Sequence, residues 1–430
     1  MTTTVFAVDD PVQGVDCHPA TCRIGLLGVG NVGSAFARLA RDASASFAAR
    51  GFSPIISASL VRDVRRTRDA HLAAPPTDDH DFFFAEPIDV VVEALGGVEP
   101  AFTLVRRALD RGIPVVTANK SLIAAHGEEL AQLARRRGTA LRFEAACIAG
   151  VPFLGTFERR ALVSRASGVT AILNGTSNYI LTAMTRGGSF EAALADAQRL
   201  GYAEPDPSMD ISGADAAEKL TILIRLFGRL IVDPATIPLD TLSSVEADDI
   251  AAAAAFDGAL RPVSRASWDG TAIRAHVGPA FLGGTHPLVR VSGVTNGVVI
   301  DAERGAQVYI GPGAGPDVTA ATMLDDVAEV VTERRVRTPN ADVVRTSTSV
   351  SRPDSGWFVR LTGAAKQSDI ADLLGHYGIW CTRIARRGDR VYVLTCHASQ
   401  QRIHAALDAV QSATGVAAAA LPALAEEASC

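Results

Sequence analysis

The sequence predicts an α/β protein: a doubly wound parallel-sheet domain, an α+β domain after it, and a small α+β module at the C-terminal end. Three observations lead there. The chain has 430 residues, 48% hydrophobic and 20% charged, a globular balance that at roughly 100–200 residues per domain gives two or three domains. A glycine-rich turn, Gly28-Val29-Gly30-Asn31-Val32-Gly33, stands between an apolar strand pattern and a helical one. Short apolar runs then alternate with helical patterns up to residue 150, as in a parallel sheet covered by helices on both faces.

Taken in order, residues 1–22 are polar and read as a loose tail. A strand at 24–27 runs into the glycine turn, and the segment after it has helical spacing. Strands are expected at 55–61, 88–92, 113–116 and 140–143, with helices at 100–111 and 121–137. The second domain spans 151–310, with helices at 190–200 and 214–227 and strands at 289–294 and 297–300. The cluster Gly311-Pro312-Gly313-Ala314-Gly315 opens a helix at 320–334 that returns to the first domain, so 23–150 and 311–335 form one unit. Residues 336–354 are rich in Thr, Ser and Arg and read as a linker. The module at 355–430 reads as strand, helix, strand, strand and helix, at 357–362, 368–377, 380–385, 390–396 and 400–411.

Several classes of function are excluded. A net charge of −6 argues against a nucleic-acid surface. No run of about 18 apolar residues exists to span a membrane. The start lacks a basic segment followed by an apolar one, so no signal peptide is expected. The six cysteines include no C-x-x-C pair, which fits a reducing, cytoplasmic compartment better than a disulfide framework. The nine histidines show no metal-ligand spacing.

The chemistry gathers in a few places. In the glycine turn, Gly28 makes the tight bend, Gly30 lets the backbone approach a pyrophosphate and Gly33 lets helix and strand pack closely; the helix N-terminus, with Val29, Asn31 and Val32, then receives the phosphates. An NAD site would carry an acid at the end of the second strand. Ala58, Ser59 and Leu60 stand there, followed by Arg62, Arg65, Arg66 and Arg68. That favours a 2′-phosphate and NADP, while Asp63 keeps NAD open. Gly96, past the third strand, and Lys120, past the fourth, belong at the carboxyl edge of the sheet, where a nicotinamide lies. Of the 41 basic residues only three are lysines, Lys120, Lys219 and Lys366. In so arginine-rich a chain a remaining lysine marks a task arginine cannot do, such as giving up its proton. Asp215 and Lys219 are four apart, hence on one helical face.

Four segments in order, VVTANKSLIA, FEAACIAGVP, LNGTSNYILT and LGYAEPDPSMDISGADAAEK, resemble homoserine dehydrogenase over residues 23–335. The resemblance implies a Rossmann domain, a catalytic and dimerisation domain, and interconversion of L-homoserine and L-aspartate 4-semialdehyde with NAD(P)(H), in threonine, methionine and isoleucine biosynthesis. It puts Lys219 on the proton donor and acceptor, Glu204 and Asp215 on the homoserine-binding acids, and Lys120 on the lysine shared by cofactor and substrate. Gly201 falls at the nicotinamide end, Gly175 and Thr176 beside the substrate, and Gly313 and Gly315 in the returning segment that covers the cofactor. It also implies a sodium ion near the interdomain hinge, on Glu144 and the backbone carbonyls of Cys147, Ala149 and Val151; a tight turn with no ion is the alternative. A homodimer or homotetramer acting on a small molecule follows from the same resemblance.

Two other readings compete. A semialdehyde dehydrogenase would need a cysteine nucleophile with a base, and Cys147 has no histidine near it in sequence. An inactive ligand sensor would not be expected to keep Lys120, Glu204, Asp215 and Lys219 together. The end module resembles an ACT regulatory domain. Its first turn departs from that pattern, with Ala365, Gln367 and Ser368 where Asp, Pro and Gly are typical, although Ser368 is suited to cap the helix.

Overall fold

The computed structural model describes residues 19–66, 72, 75–158, 166–332, 345–347, 349–363 and 366–425. Its first sheet is built from β1 (Ala20–Leu27), β2 (Phe52–Leu60), β3 (Val90–Glu93), β4 (Val115–Thr117) and β5 (Leu141–Arg142). All neighbours are parallel, in the order β2-β1-β3-β4-β5. Val90, Val91 and Val92 are buried on both faces. Their branched side chains suit a pleated strand, and burying each contributes roughly 1.5–3 kcal/mol. The chain leaves β1 for β2 on one side and returns to β3 on the other. This order makes the carboxyl ends of β1 and β3 the switch point, where a ligand crevice opens. The helix Pro316–Thr332 packs back against the helix Asn31–Asp42 of this sheet, as the returning segment predicts.

The remaining strands are β6 (Ala166–Ile172), β7 (Leu230–Ile231), β8 (Gly258–Asp269), β9 (Ala272–Gly283), β10 (Thr295–Ala302), β11 (Gln307–Pro312), β12 (Arg345–Thr346), β13 (Ser349–Ser351), β14 (Gly356–Thr362), β15 (Cys381–Arg387), β16 (Arg390–Thr395) and β17 (Ala417–Leu424). Ten of them form one sheet, β11-β10-β6-β8-β9-β17-β14-β16-β15, with β13 also on β9. The end module folds as β14, a helix Gln367–His376, β15, β16, a helix Gln400–Thr414 and β17. It is not a separate sheet: β17 pairs with β9 at Ala423↔Phe281 and Leu424↔Leu282.

Several expectations are corrected. The first strand begins at Ala20, so the end of the expected tail belongs to the sheet and Cys22 is buried in it; residues 1–18 lie outside the described residues. The segment 289–294 is a turn and not a strand. The long β8–β9 hairpin went unread because Arg, Pro and Gly interrupt its alternation. The helix expected to 227 stops at Leu223 and continues as a wider π-turn, Ile224–Gly228. Part of the expected linker is ordered, since β12 pairs with β7 and β13 with β9. Ser368 does not cap its helix: Lys366 holds that position, and the Ser368 hydroxyl turns to Asp369. Among the described residues Cys22, Cys147 and Cys381 are free, and Cys396 is disulfide-bonded. No helix among the described residues is long and apolar enough to cross a membrane.

The glycine turn has the geometry its spacing predicts. Gly28 has φ +93°, and a Cβ there would sit 2.7 Å from the Ala94 carbonyl oxygen. A Cβ on Gly33 would sit 2.0 Å from the carbonyl oxygen of Gly28, whereas one on Gly30 would meet nothing within 4 Å. Two substitutions therefore separate packing from binding. Gly33→Ala overpacks backbone and should cost about 1–3 kcal/mol, read as a lower melting temperature. Gly30→Ala should keep the native melting temperature and lose dinucleotide affinity, because its methyl occupies the space the pyrophosphate needs. Equal melting temperatures for the two variants would contradict this.

Candidate active site

The site forms where the first sheet meets the second unit, and two helices bring its charges together. One is Lys120–Arg137. Asn119 opens it by accepting the Leu122 amide at 3.0 Å, and Gly138, at φ +65°, closes it. The other is Ala214–Leu223. It starts after Gly213, at φ +85°, and carries Asp215 in its first turn, where a carboxylate interacts favourably with the helix dipole. The two lie side by side, and Ser121 donates to Glu218 across them at 3.0 Å.

Asp215 is buried and takes donors from both sides. Lys120 Nζ is 2.7 Å from its Oδ1 and Lys219 Nζ 2.9 Å from its Oδ2. Asn174 Nδ2 donates to the same Oδ2 at 2.9 Å. Burial alone would raise this carboxyl, but the Lys219 and Lys120 charges and the hydrogen bonds outweigh it and hold it well below the usual range. Burial works against the Lys120 ammonium too, yet the charges of Asp215, Glu218 and Asp210 more than offset it, and its pKa is raised. Lys219 is mostly buried and also donates to the Leu173 carbonyl at 3.0 Å. Two of its three donor directions are thereby used.

A second acid, Asp210, completes the group and was not assigned from sequence. Asn174 Nδ2 donates to its Oδ1 at 2.6 Å. Burial, with the nearby Asp215 charge, raises its carboxyl. The only available signal was its place in the acid-rich run 204–215. Asn174 also caps the helix Gly175–Met184 by accepting the Ser177 amide at 2.7 Å. Gly175 and Thr176 begin that helix, and the Thr176 hydroxyl donates to the Tyr202 carbonyl at 2.6 Å. That bond ties them to the turn holding Gly201, at φ +76°, and Glu204, whose side chain is exposed.

The dinucleotide side is equally defined. Gly96 and Gly97 follow β3 at φ +76° and +72°, with the Gly97 carbonyl held by Asn119 Nδ2 at 2.6 Å. Arg62, Arg65 and Arg66 are exposed beyond β2, while Arg68 lies outside the described residues. Gly313 lies against the Asn296 side chain, and Gly315 has φ +124° just before the returning helix.

At the hinge, Glu144 accepts the amides of Leu154 and Gly155, each at 2.8 Å. The Ala149 carbonyl accepts the Thr322 hydroxyl, and the Val151 carbonyl the Phe153 amide at 2.9 Å. The carboxylate thus caps the start of the short helix Leu154–Glu158. Cys147 is fully buried, with its thiol pushed up to about 12 by burial, so it is no nucleophile. Among the described residues no group of three or more His, Cys, Asp or Glu is arranged to hold a metal.

The raised Asp210 generates a pH prediction. As pH falls through its pKa the carboxylate gains a proton and can no longer hold an ammonium group. The acid limb of kcat/KM for an ammonium-bearing substrate should then lie above the usual Asp value of about 3.9, and Asp210→Asn should lower kcat/KM and flatten that limb. An unchanged limb in Asp210→Asn would contradict it.

Comparison with known proteins gives one answer throughout. Residues 28–144 match the family model described as homoserine dehydrogenase, NAD binding domain, and residues 152–328 the model homoserine dehydrogenase. The homoserine dehydrogenase of Synechocystis sp. is 36% identical over 326 residues, which are 72% of this chain and 73% of that protein. The crystal structure of a homoserine dehydrogenase from Thiobacillus denitrificans superposes with a TM-score of 0.85 at 28% identity, covering 95% of this chain and 99% of that one. A hyperthermophilic archaeal homoserine dehydrogenase in complex with NADPH gives 0.60 at 25% identity, over 73% of this chain and 98% of that one.

Proposed function

The chain belongs to the homoserine dehydrogenase family, and from that premise we propose which of its residues perform the reaction. The activity is the interconversion of L-homoserine and L-aspartate 4-semialdehyde with a nicotinamide dinucleotide. One observation carries the assignment: a single buried carboxylate, Asp215, bridges Lys120 and Lys219 beside the switch-point crevice.

Lys219 is the proton-transfer residue. With two positions of its nitrogen fixed by Leu173 and Asp215, the third faces the reacting oxygen: as the neutral amine it takes the hydroxyl proton when the carbon gives up hydride, and as the ammonium it returns that proton to the carbonyl oxygen in reduction. Lys120, with its raised pKa, stays an ammonium and suits a substrate carboxylate. Both Asp215 oxygens already take donors, so Asp215 orients the lysines, while Glu204 and Asp210 hold the substrate's α-ammonium. Gly175 and Thr176 line the substrate side. The turn 28–33, with Gly96, Lys120, Gly201, Glu204, Gly313 and Gly315, holds the dinucleotide. The cofactor, once bound, supplies the hydride chemistry.

The finer readings belong to the same proposal. NADP is preferred over NAD, supported by Arg62 beyond a strand that ends without an acid. The units are 23–150 with 311–335, 151–310, and an ACT-like end module whose βαββαβ order supports that reading. A cytoplasmic homodimer or homotetramer rests on the family resemblance. Any cation at the hinge would rest on Glu144 and the carbonyls of Cys147, Ala149 and Val151, and no step depends on it.

Lys219→Arg keeps the charge and the Asp215 contact but cannot release a proton at neutral pH. It should lose about 10²–10⁴-fold in kcat with its fold intact; near-native turnover would transfer the role to Lys120. For the cofactor, kcat/KM should favour NADP, and Arg62→Ala should reduce that preference. A native preference for NAD would contradict the assignment.

A further inference from the structure

Glu93 is the last residue of β3 and fully buried. Strand ends in such sheets are commonly apolar, and this one carries a carboxylate with no charged partner: its interactions are burial and four hydrogen bonds from neutral donors. Oε1 accepts the Leu95 amide at 2.7 Å and Asn119 Nδ2 at 3.3 Å. Oε2 accepts the Thr117 hydroxyl, and the Gly96 amide donates as well. Two of the four are backbone N–H groups that can only donate. The arrangement suits the ionised acid; burial still raises this carboxyl, and the four bonds oppose that push.

The donors come from two loops. Leu95 and Gly96 belong to the turn after β3, Thr117 and Asn119 to the turn after β4. Asn119 also holds the Gly97 carbonyl and caps the helix that begins with Lys120. One side chain thus fixes both walls of the crevice at the carboxyl edge, next to the strand bearing the glycine turn.

We propose that Glu93 is a positioning residue whose uncancelled negative charge, set at the switch point between β1 and β3, makes the crevice bind the oxidised dinucleotide in preference to the reduced one. This rests on the dinucleotide reading given above. An oxidised nicotinamide ring is positively charged and a reduced ring neutral, so a buried anion near its seat acts on one form only. In a medium of effective dielectric about 20, a charge about 12 Å away changes affinity by about tenfold.

The test is the pair of dissociation constants for NADP+ and NADPH, measured by fluorescence titration on the full chain. Glu93→Gln keeps the shape and removes the charge. It should weaken NADP+ about tenfold relative to NADPH. Thr117→Val removes one donor and keeps the charge, so it should weaken both forms alike. A Glu93→Gln ratio within twofold of native, or a Thr117→Val ratio displaced as far as that of Glu93→Gln, would overturn the proposal, because a structural role moves both affinities together. Should Glu93→Gln not fold, Glu93→Asp and Thr117→Val both keep the charge and must keep the ratio, and a displaced ratio in either overturns it. Native protein that binds neither dinucleotide would overturn the reading beneath, whereas native binding with an unchanged variant ratio overturns the Glu93 role alone.

Discussion

The Asp215 carboxylate, shared between Lys120 of the parallel-sheet unit and Lys219 of its own helix, is the constraint on which the site depends. The first lysine arrives from the end of β4, the second from a helix nearly a hundred residues later in the chain. Their helices must therefore lie in one fixed register. Ser121 to Glu218 supports it near the charged end. From beyond the C-terminal end of the second helix the buried Arg225 donates to the Ile123 carbonyl at 2.9 Å. It reaches that carbonyl across Gly127, where a Cβ would lie 1.9 Å from the guanidinium. The π-turn Ile224–Gly228 that carries Arg225 is a widened turn of a kind often found at functional sites.

Burying such charges is costly unless each is paired and hydrogen-bonded. Asp215 is tolerated because two lysines and a carboxamide surround it. Burial raises the Asp210 carboxyl, and among the described residues Asn174 is its one side-chain hydrogen-bond donor, whereas the Asp215 carboxyl is lowered. Two carboxylates five residues apart are thus given opposite tendencies by their neighbours. One stays an anchor across the ordinary pH range; the other can respond to a substrate.

Much of this was legible in the sequence. The glycine turn, the alternating first domain and the returning helix announce themselves through spacing and periodicity, because each depends on local geometry. Lys120, Asp215 and Lys219 were visible through rarity and the four-residue step. The bridge between the two lysines was not, since it depends on how two units pack. Asp210 stayed hidden among several acids for the same reason, and Glu93 because a glutamate after three valines does not reveal that its partners come from another loop. The β8–β9 hairpin and the joining of β17 to β9 escaped because strand pairing is set by distant partners and not by local pattern.

The central claim is that Lys120 and Asp215 act as one unit across the two helices. A double-mutant cycle measures it most directly: kcat/KM for L-homoserine in native protein, Lys120→Met, Asp215→Asn and the double variant. Groups that share one interaction are strongly non-additive. The account predicts that the double variant loses little more than the worse single variant. Losses that multiply, as for independent sites, would contradict it.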